Sequence, residues 1–221
     1  MKEPSITQYL VAACLHNIDE LNEKYGHLDK ADLKQVADRE FNEMDVTVRL
    51  GYPFRQMVHY TVGDTVRKGS KVNHDLYVAA RDFKVEIKYL RHFKSNSGNY
   101  TIPTDWDEFQ KDFDWLAEEI AQGKKHKRAF VMGWFNCEDT IAGSLQLGYP
   151  TGDKSLVNME RLPYLPFVRA TRMPVRKKEL VLNYDIAYEA IPLNLIEENN
   201  SNMNCIFIGC ETDVFHFAVY F

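Results

Sequence analysis

Apolar positions recur at helical spacing through the first fifty residues. Tyr9, Leu10, Ala13, Cys14 and Leu21 share one helical face and predict a helix over residues 5–24. After a break at Gly26, Leu33, Val36, Ala37, Phe41 and Met44 keep the same period and predict a second helix over 29–48. Gly51-Tyr52-Pro53 ends that pattern, and strands are expected over 55–62, 74–80 and 83–90. Thr104 is placed to cap a helix over 105–122, whose stripe of Trp106, Phe109, Phe113, Leu116 and Ile120 must face a core. Gly123 stops it, and the unbroken apolar run RAFVMGWF, residues 128–135, reads as a buried strand.

Beyond residue 136 the chain is rich in Gly, Pro and aromatics, with strands expected over 180–184, 187–191, 205–210 and 214–220, the last two joined as a hairpin around 211–213. The fold class is therefore α/β. It divides into an N-terminal helical segment over 1–28, a core over 29–136 of helix, three strands, helix, strand, and a β-rich C-terminal extension of the same domain over 137–221.

One pair of expected strands carries charge. In residues 73–91, NHDLYVAARDFKVEIKYLR, alternation places Leu76 and Val78 on one face with Phe83, Val85, Ile87 and Tyr89. The other face collects Asp75, Tyr77, Lys84, Glu86 and Lys88. An antiparallel pairing centred between Ala80 and Arg81 matches the two apolar sets and sets Asp75 opposite Glu86. Two carboxylates so close repel each other, and a hard divalent cation would relieve that repulsion. A lysine beside them can serve an attacking water and stabilise charge on a phosphate. The plain alternative is a salt-bridged, solvated sheet face.

Asp75, ten intervening residues and then Glu86-Ile87-Lys88 resembles the bipartite motif of the PD-(D/E)xK nuclease superfamily, the restriction-endonuclease-like fold. Asn73-His74 stands where a proline commonly precedes the aspartate, and the element order over 29–135 is similar to that family's core, about half the chain. The resemblance implies a metal-dependent endonuclease acting on DNA ahead of RNA, with Mg²⁺, or Mn²⁺ in its place. It implies Asp75 and Glu86 as metal ligands and Lys88 at the water. Members often carry one more acid on the helix before the first strand. Glu40 is matched to it, four residues after Val36 and seven after Leu33 on the apolar stripe, with Glu43 as the substitute.

Nucleic-acid contacts are expected from Lys84 on the charged face and from Arg91, His92 and Lys94 in KYLRHFK, residues 88–94, which reads equally as a solvated strand end. The basic runs GKKHKR (123–128), RATR (169–172) and Arg176-Lys177-Lys178 are further contacts or plain surface, and cations after a helix C-terminus already oppose its dipole.

Composition narrows the partners. In a chain of 221 residues, 45 % hydrophobic and 27 % charged are ordinary globular values, and a net charge of −5 argues against a coating of nonspecifically bound nucleic acid. The short apolar run near Tyr9, preceded by Glu3, suits neither a signal peptide nor a membrane span, so a cytoplasmic protein without a membrane partner is expected. Four scattered cysteines read as buried thiols. No P-loop, G-x-G-x-x-G, G-x-S-x-G or H-E-x-x-H motif competes with the charged face. The rival reading is a non-catalytic nucleic-acid-binding or assembly module of the same fold, whose C-terminal β region would join two copies as a homodimer.

Overall fold

Helix α1 (Ile6–Tyr25) begins where the Gln8 side chain accepts from the Ser5 backbone N–H at 3.0 Å, and it buries the stripe Ile6, Leu10, Ala13, Cys14, Ile18 and Leu21. Helix α2 (Lys30–Arg39) is capped by Asp29, whose carboxylate accepts from the N–H groups of Ala31 and Asp32, both at 2.9 Å. Helix α3 (Glu43–Gly51) follows as a separate element. The single helix expected over 29–48 is thus corrected to two. Asn42 starts a new one, its side chain accepting from the Met44 N–H at 2.8 Å while Asp45 accepts from the Asn42 N–H at 2.8 Å. Phe41, in the break, drives its ring against Tyr89, Phe135 and Phe215.

This computed structural model describes residues 5–54, 58–59, 75–78, 81–90, 103–137, 156–193, 195 and 202–221. Strands β1 (Val58–His59), β2 (Leu76–Val78) and β3 (Phe83–Tyr89) follow, then helix α4 (Pro103–Ala121) and strand β4 (Arg128–Phe135). The remainder of the first strand expected over 55–62 lies outside the described residues. A short ribbon of β5 (Val168–Ala170) and β6 (Leu180–Leu182) precedes β7 (Ala190–Pro192), β8 (Asn204–Ile208) and β9 (Phe215–Tyr220).

Seven strands form one mixed sheet in the order β1-β2-β3-β4-β9-β8-β7. β3 and β4 are parallel, with α4 in the crossover between them, and the other neighbours are antiparallel. The architecture is mixed α/β, and the C-terminal strands extend the same sheet.

Both faces of the sheet centre are covered, which explains why β4 is apolar throughout. Ala129, Val131 and Phe135 join the core beneath α1, α2 and α3. Phe130, Met132 and Trp134 join a second core with α4's Trp106, Phe109, Phe113 and Leu116 and with Phe167, Val175 and Leu180 around the ribbon. Arg128, only 1 % exposed, bolts the crossover. Its guanidinium donates to Glu119 near the end of α4 and to the backbone oxygen of Asp82, and pairs with the Asp82 carboxylate at 3.3 Å. Lys124 pairs with Glu119 as well, at 3.2 Å. Two cations of the basic run 123–128 are therefore committed to ion pairs within the fold.

Cys14 and Cys205 are buried, and burial pushes their thiols far up. The expectation of four buried thiols is corrected at Cys137, half-buried, and Cys210, exposed just past β8. Among the described residues, no helix is long and apolar enough to cross a membrane.

Candidate functional site

The site grows from the β2–β3 register. Leu76 pairs with Val85, Tyr77 with Lys84 and Val78 with Phe83, so the next step of the ladder sets Asp75 opposite Glu86. Leu76, Val78, Phe83, Val85 and Ile87 are at most 3 % exposed in the core beneath α1. Tyr77, Lys84, Glu86 and Lys88 turn the other way and are half-buried. Lys84 lies over the Tyr77 ring, its ammonium 5.9 Å from the centroid.

Asp75 is held in place by the backbone. Its Oδ2 accepts from the Ile87 N–H at 2.7 Å. Burial pushes its carboxyl up to about 6, and the Glu86 and Glu43 charges add to that, while the Ile87 N–H and Lys88 oppose it. A carboxyl so placed loses its proton to water near neutrality, or at lower pH when a cation binds beside it.

Two further acids reach this face. Glu43, in the first turn of α3, has Oε2 3.4 Å from the Tyr89 N–H at the end of β3. Tyr89 also donates its hydroxyl to the Ala37 carbonyl at 2.8 Å, tying β3 to α2. Asp112, on α4, has Oδ2 3.7 Å from the Lys88 ammonium. That oxygen is buried and accepts no hydrogen bond from the described residues. Burial pushes Asp112 up to about 7, with Glu86, Asp75 and Glu43 adding to the effect against Lys88. Burial works against the Lys88 charge, yet Asp112, Glu43, Asp75 and Glu108 together outweigh it and hold its pKa above the ordinary value.

Glu40 is corrected. It is the C-cap residue of α2, exposed, and absent from the charges acting on Asp75, Lys88 or Asp112, whereas Glu43 acts on all three. The cause is the break at Asn42. A continuous helix carries Glu40 inward on the apolar stripe, whereas a fresh start at Asn42 resets the phase and brings Glu43 to the end of β3. Arg91, His92 and Lys94 lie outside the described residues, as does His74.

Asp112 is the acid that sequence reasoning passed over. A signal existed, because it falls three residues after Phe109 and four before Leu116, on the stripe that faces the sheet.

All four acids offer hard oxygen donors, the type that suits Mg²⁺ or Mn²⁺ and not a soft metal. The raised Asp75 and Asp112 carboxyls reflect burial first and then the neighbouring acids, with Lys88 offsetting part of that charge. Among the described residues, however, no three His, Cys, Asp or Glu side chains are grouped so as to hold one ion.

No protein-family model, curated protein or solved structure matches this chain.

Proposed function

We propose that the protein is a metal-dependent nuclease of the PD-(D/E)xK type, an endodeoxyribonuclease, with its site at Asp75, Glu86, Lys88 and Glu43. The observation that carries this reading is the register that sets Asp75 against Glu86 on the face it shares with Lys88. The order of helix, three strands, helix, strand from α3 to β4 supports it, as does the placement of Glu43 at the end of β3 and of Asp112 beside Lys88.

Asp75 and Glu86 would hold Mg²⁺, with Glu43 adding negative charge from the end of β3. Bound there, the ion supplies positive charge for the phosphate oxygens and lowers the pKa of a water. The chain's own contribution is positional and electrostatic. The Ile87 N–H fixes which way the Asp75 carboxylate points. Lys88, kept cationic by its acidic neighbours, presents an ammonium that stabilises charge developing on a phosphate. Asp112 restrains that ammonium from the α4 side.

The test is incubation of the purified protein with supercoiled, linear and single-stranded DNA and with RNA, in Mg²⁺, Mn²⁺ or EDTA. Nicking of DNA that requires metal and disappears in Asp75→Asn is the expected result. The competing reading is a non-catalytic binding or assembly module. It is favoured by the Lys88–Asp112 ion pair, which gives the charged face a partner without any ligand, and by the lack of a converged ligand triple among the described residues. Absence of metal binding and of cleavage on every substrate would decide for it.

A further inference from the structure

The ribbon of β5 and β6 has a composition unlike the rest of the chain. Between Val168 and Leu182 it carries five cations, Arg169, Arg172, Arg176, Lys177 and Lys178, against one acid, Glu179, in a protein whose net charge is −5. It is also built to be stiff. Leu165, Phe167, Val175 and Leu180 are at most 5 % exposed and root it in the core on the α4 side of the sheet. Thr171 donates its N–H and its hydroxyl to the Glu179 carbonyl at 2.8 and 3.0 Å. Arg172 clasps the Glu179 carboxylate through Nε at 2.7 Å and a terminal nitrogen at 2.8 Å. One cation thus closes the tip. Arg169, exposed, and Arg176, half-buried, have no acidic partner among the described residues. Met173 and Pro174 stand at the tip between these cations, with Met173 76 % exposed.

We infer that this ribbon is a docking surface for double-stranded DNA, with Arg169 and Arg176 on phosphates and the Met173-Pro174 tip at a groove. The partner's class rests on the nuclease reading above, and the ribbon's own chemistry selects the form of nucleic acid. A two-stranded ribbon fits the major groove of B-form DNA, whereas the deep, narrow major groove of A-form RNA excludes it. Single-strand binders stack bases on aromatic rings, and residues 168–182 contain no aromatic side chain. An apolar Met-Pro tip flanked by arginines suits a groove edge, where unpaired cations meet phosphates. Placement agrees, because the ribbon and the charged residues of β3 occupy the same side of the sheet. Tyr164, just ahead of β5, accepts from Gln110 of α4 at 3.1 Å, two residues from Asp112.

The experiment is fluorescence anisotropy with a labelled duplex DNA, the matching single strand and a duplex RNA, in EDTA across a salt series. Three proteins are compared: wild type, Arg169→Glu/Arg176→Glu, and Lys24→Glu/Arg39→Glu, which makes the same change of charge on the opposite side of the sheet. Circular dichroism melts establish that each is folded. Wild type is expected to prefer duplex DNA. The ribbon variant should lose tenfold or more in affinity, and its slope of log K against log salt should flatten by about 0.9 for each phosphate contact removed. The helix variant should retain the wild-type slope. Equal weakening in both variants, an unchanged slope in the ribbon variant, a preference for either other probe, or no binding by wild type would each overturn the inference. Parallel cleavage assays in Mg²⁺ separate the two readings. Binding through the ribbon without cleavage removes the nuclease and leaves the ribbon, whereas cleavage with undiminished binding in the ribbon variant does the reverse.

Discussion

The Lys88 ammonium lies 3.7 Å from an Asp112 oxygen that is buried and accepts no hydrogen bond from the described residues. Each charge is therefore held partly by the other, since neither side chain is more than 21 % exposed. Lys88→Ala should remove the group that offsets charge on the phosphate, cutting cleavage by roughly 10² to 10³ while Mg²⁺ binding persists. It should also strand Asp112, destabilising the fold by about 1 to 3 kcal/mol at pH 8 and by less at pH 5. Adding Asp112→Asn should restore most of the stability but not the cleavage. Denaturant titration and plasmid nicking on the same preparations check both halves.

Glu43 and Glu40 provide a second comparison. Glu43→Gln should weaken Mg²⁺ binding, read by calorimetry, and slow cleavage at least tenfold, because it withdraws one hard anionic oxygen from the face. Glu40→Gln, an exposed change away from the site, should leave both within about twofold and shift stability by no more than about 0.5 kcal/mol. The reverse ranking would return the helix carboxylate to α2.

Stability should depend on pH through the same acids. Asp75 and Asp112 rise from 3.8 to about 6 and about 7, so between pH 4 and 7 the folded chain holds protons that the unfolded chain has released. Stability from these two groups is therefore full below about pH 4 and declines as pH rises through 7, by a few kcal/mol at most. In EDTA, the difference in melting temperature between wild type and Asp75→Asn/Asp112→Asn should change steadily in the variant's favour across that window. Excess Mg²⁺ at pH 8 should raise the wild-type melting temperature and leave the variant's unmoved.

Arg128→Ala should be the most damaging of these changes to the fold. It empties a fully buried guanidinium, leaves the Asp82 carbonyl without its Arg128 donor and leaves Glu119 to Lys124 alone, so a loss of about 3 to 5 kcal/mol is expected. Arg128→Lys should recover little, because an ammonium cannot span both partners as a planar fork does. Chemical denaturation of the three proteins provides the measurement.

How much of this was legible in sequence varies with the range of the interaction. The β2–β3 register was, because alternation is local and only one pairing of the two strands buries Leu76, Val78, Phe83, Val85 and Ile87 together. That single constraint already brings Asp75, Glu86 and Lys88 to one face. Helix α4 and strand β4 were legible for the same reason, as long, strongly patterned segments.

What only the tertiary structure decided is where the other two acids go. The apolar period runs on through Phe41 and Met44, so nothing in the pattern itself separates one helix from two. The break is settled by the Asn42 cap acting together with Phe41, whose ring finds Tyr89, Phe135 and Phe215 from distant parts of the chain, and the outcome exchanges Glu40 for Glu43. Asp112 meets Lys88 only because α4 crosses the sheet between the parallel strands β3 and β4. The order in which β9 and β8 join β4 is likewise invisible to any local period. Local alternation and capping encode which face a side chain takes, whereas long-range packing decides which faces meet.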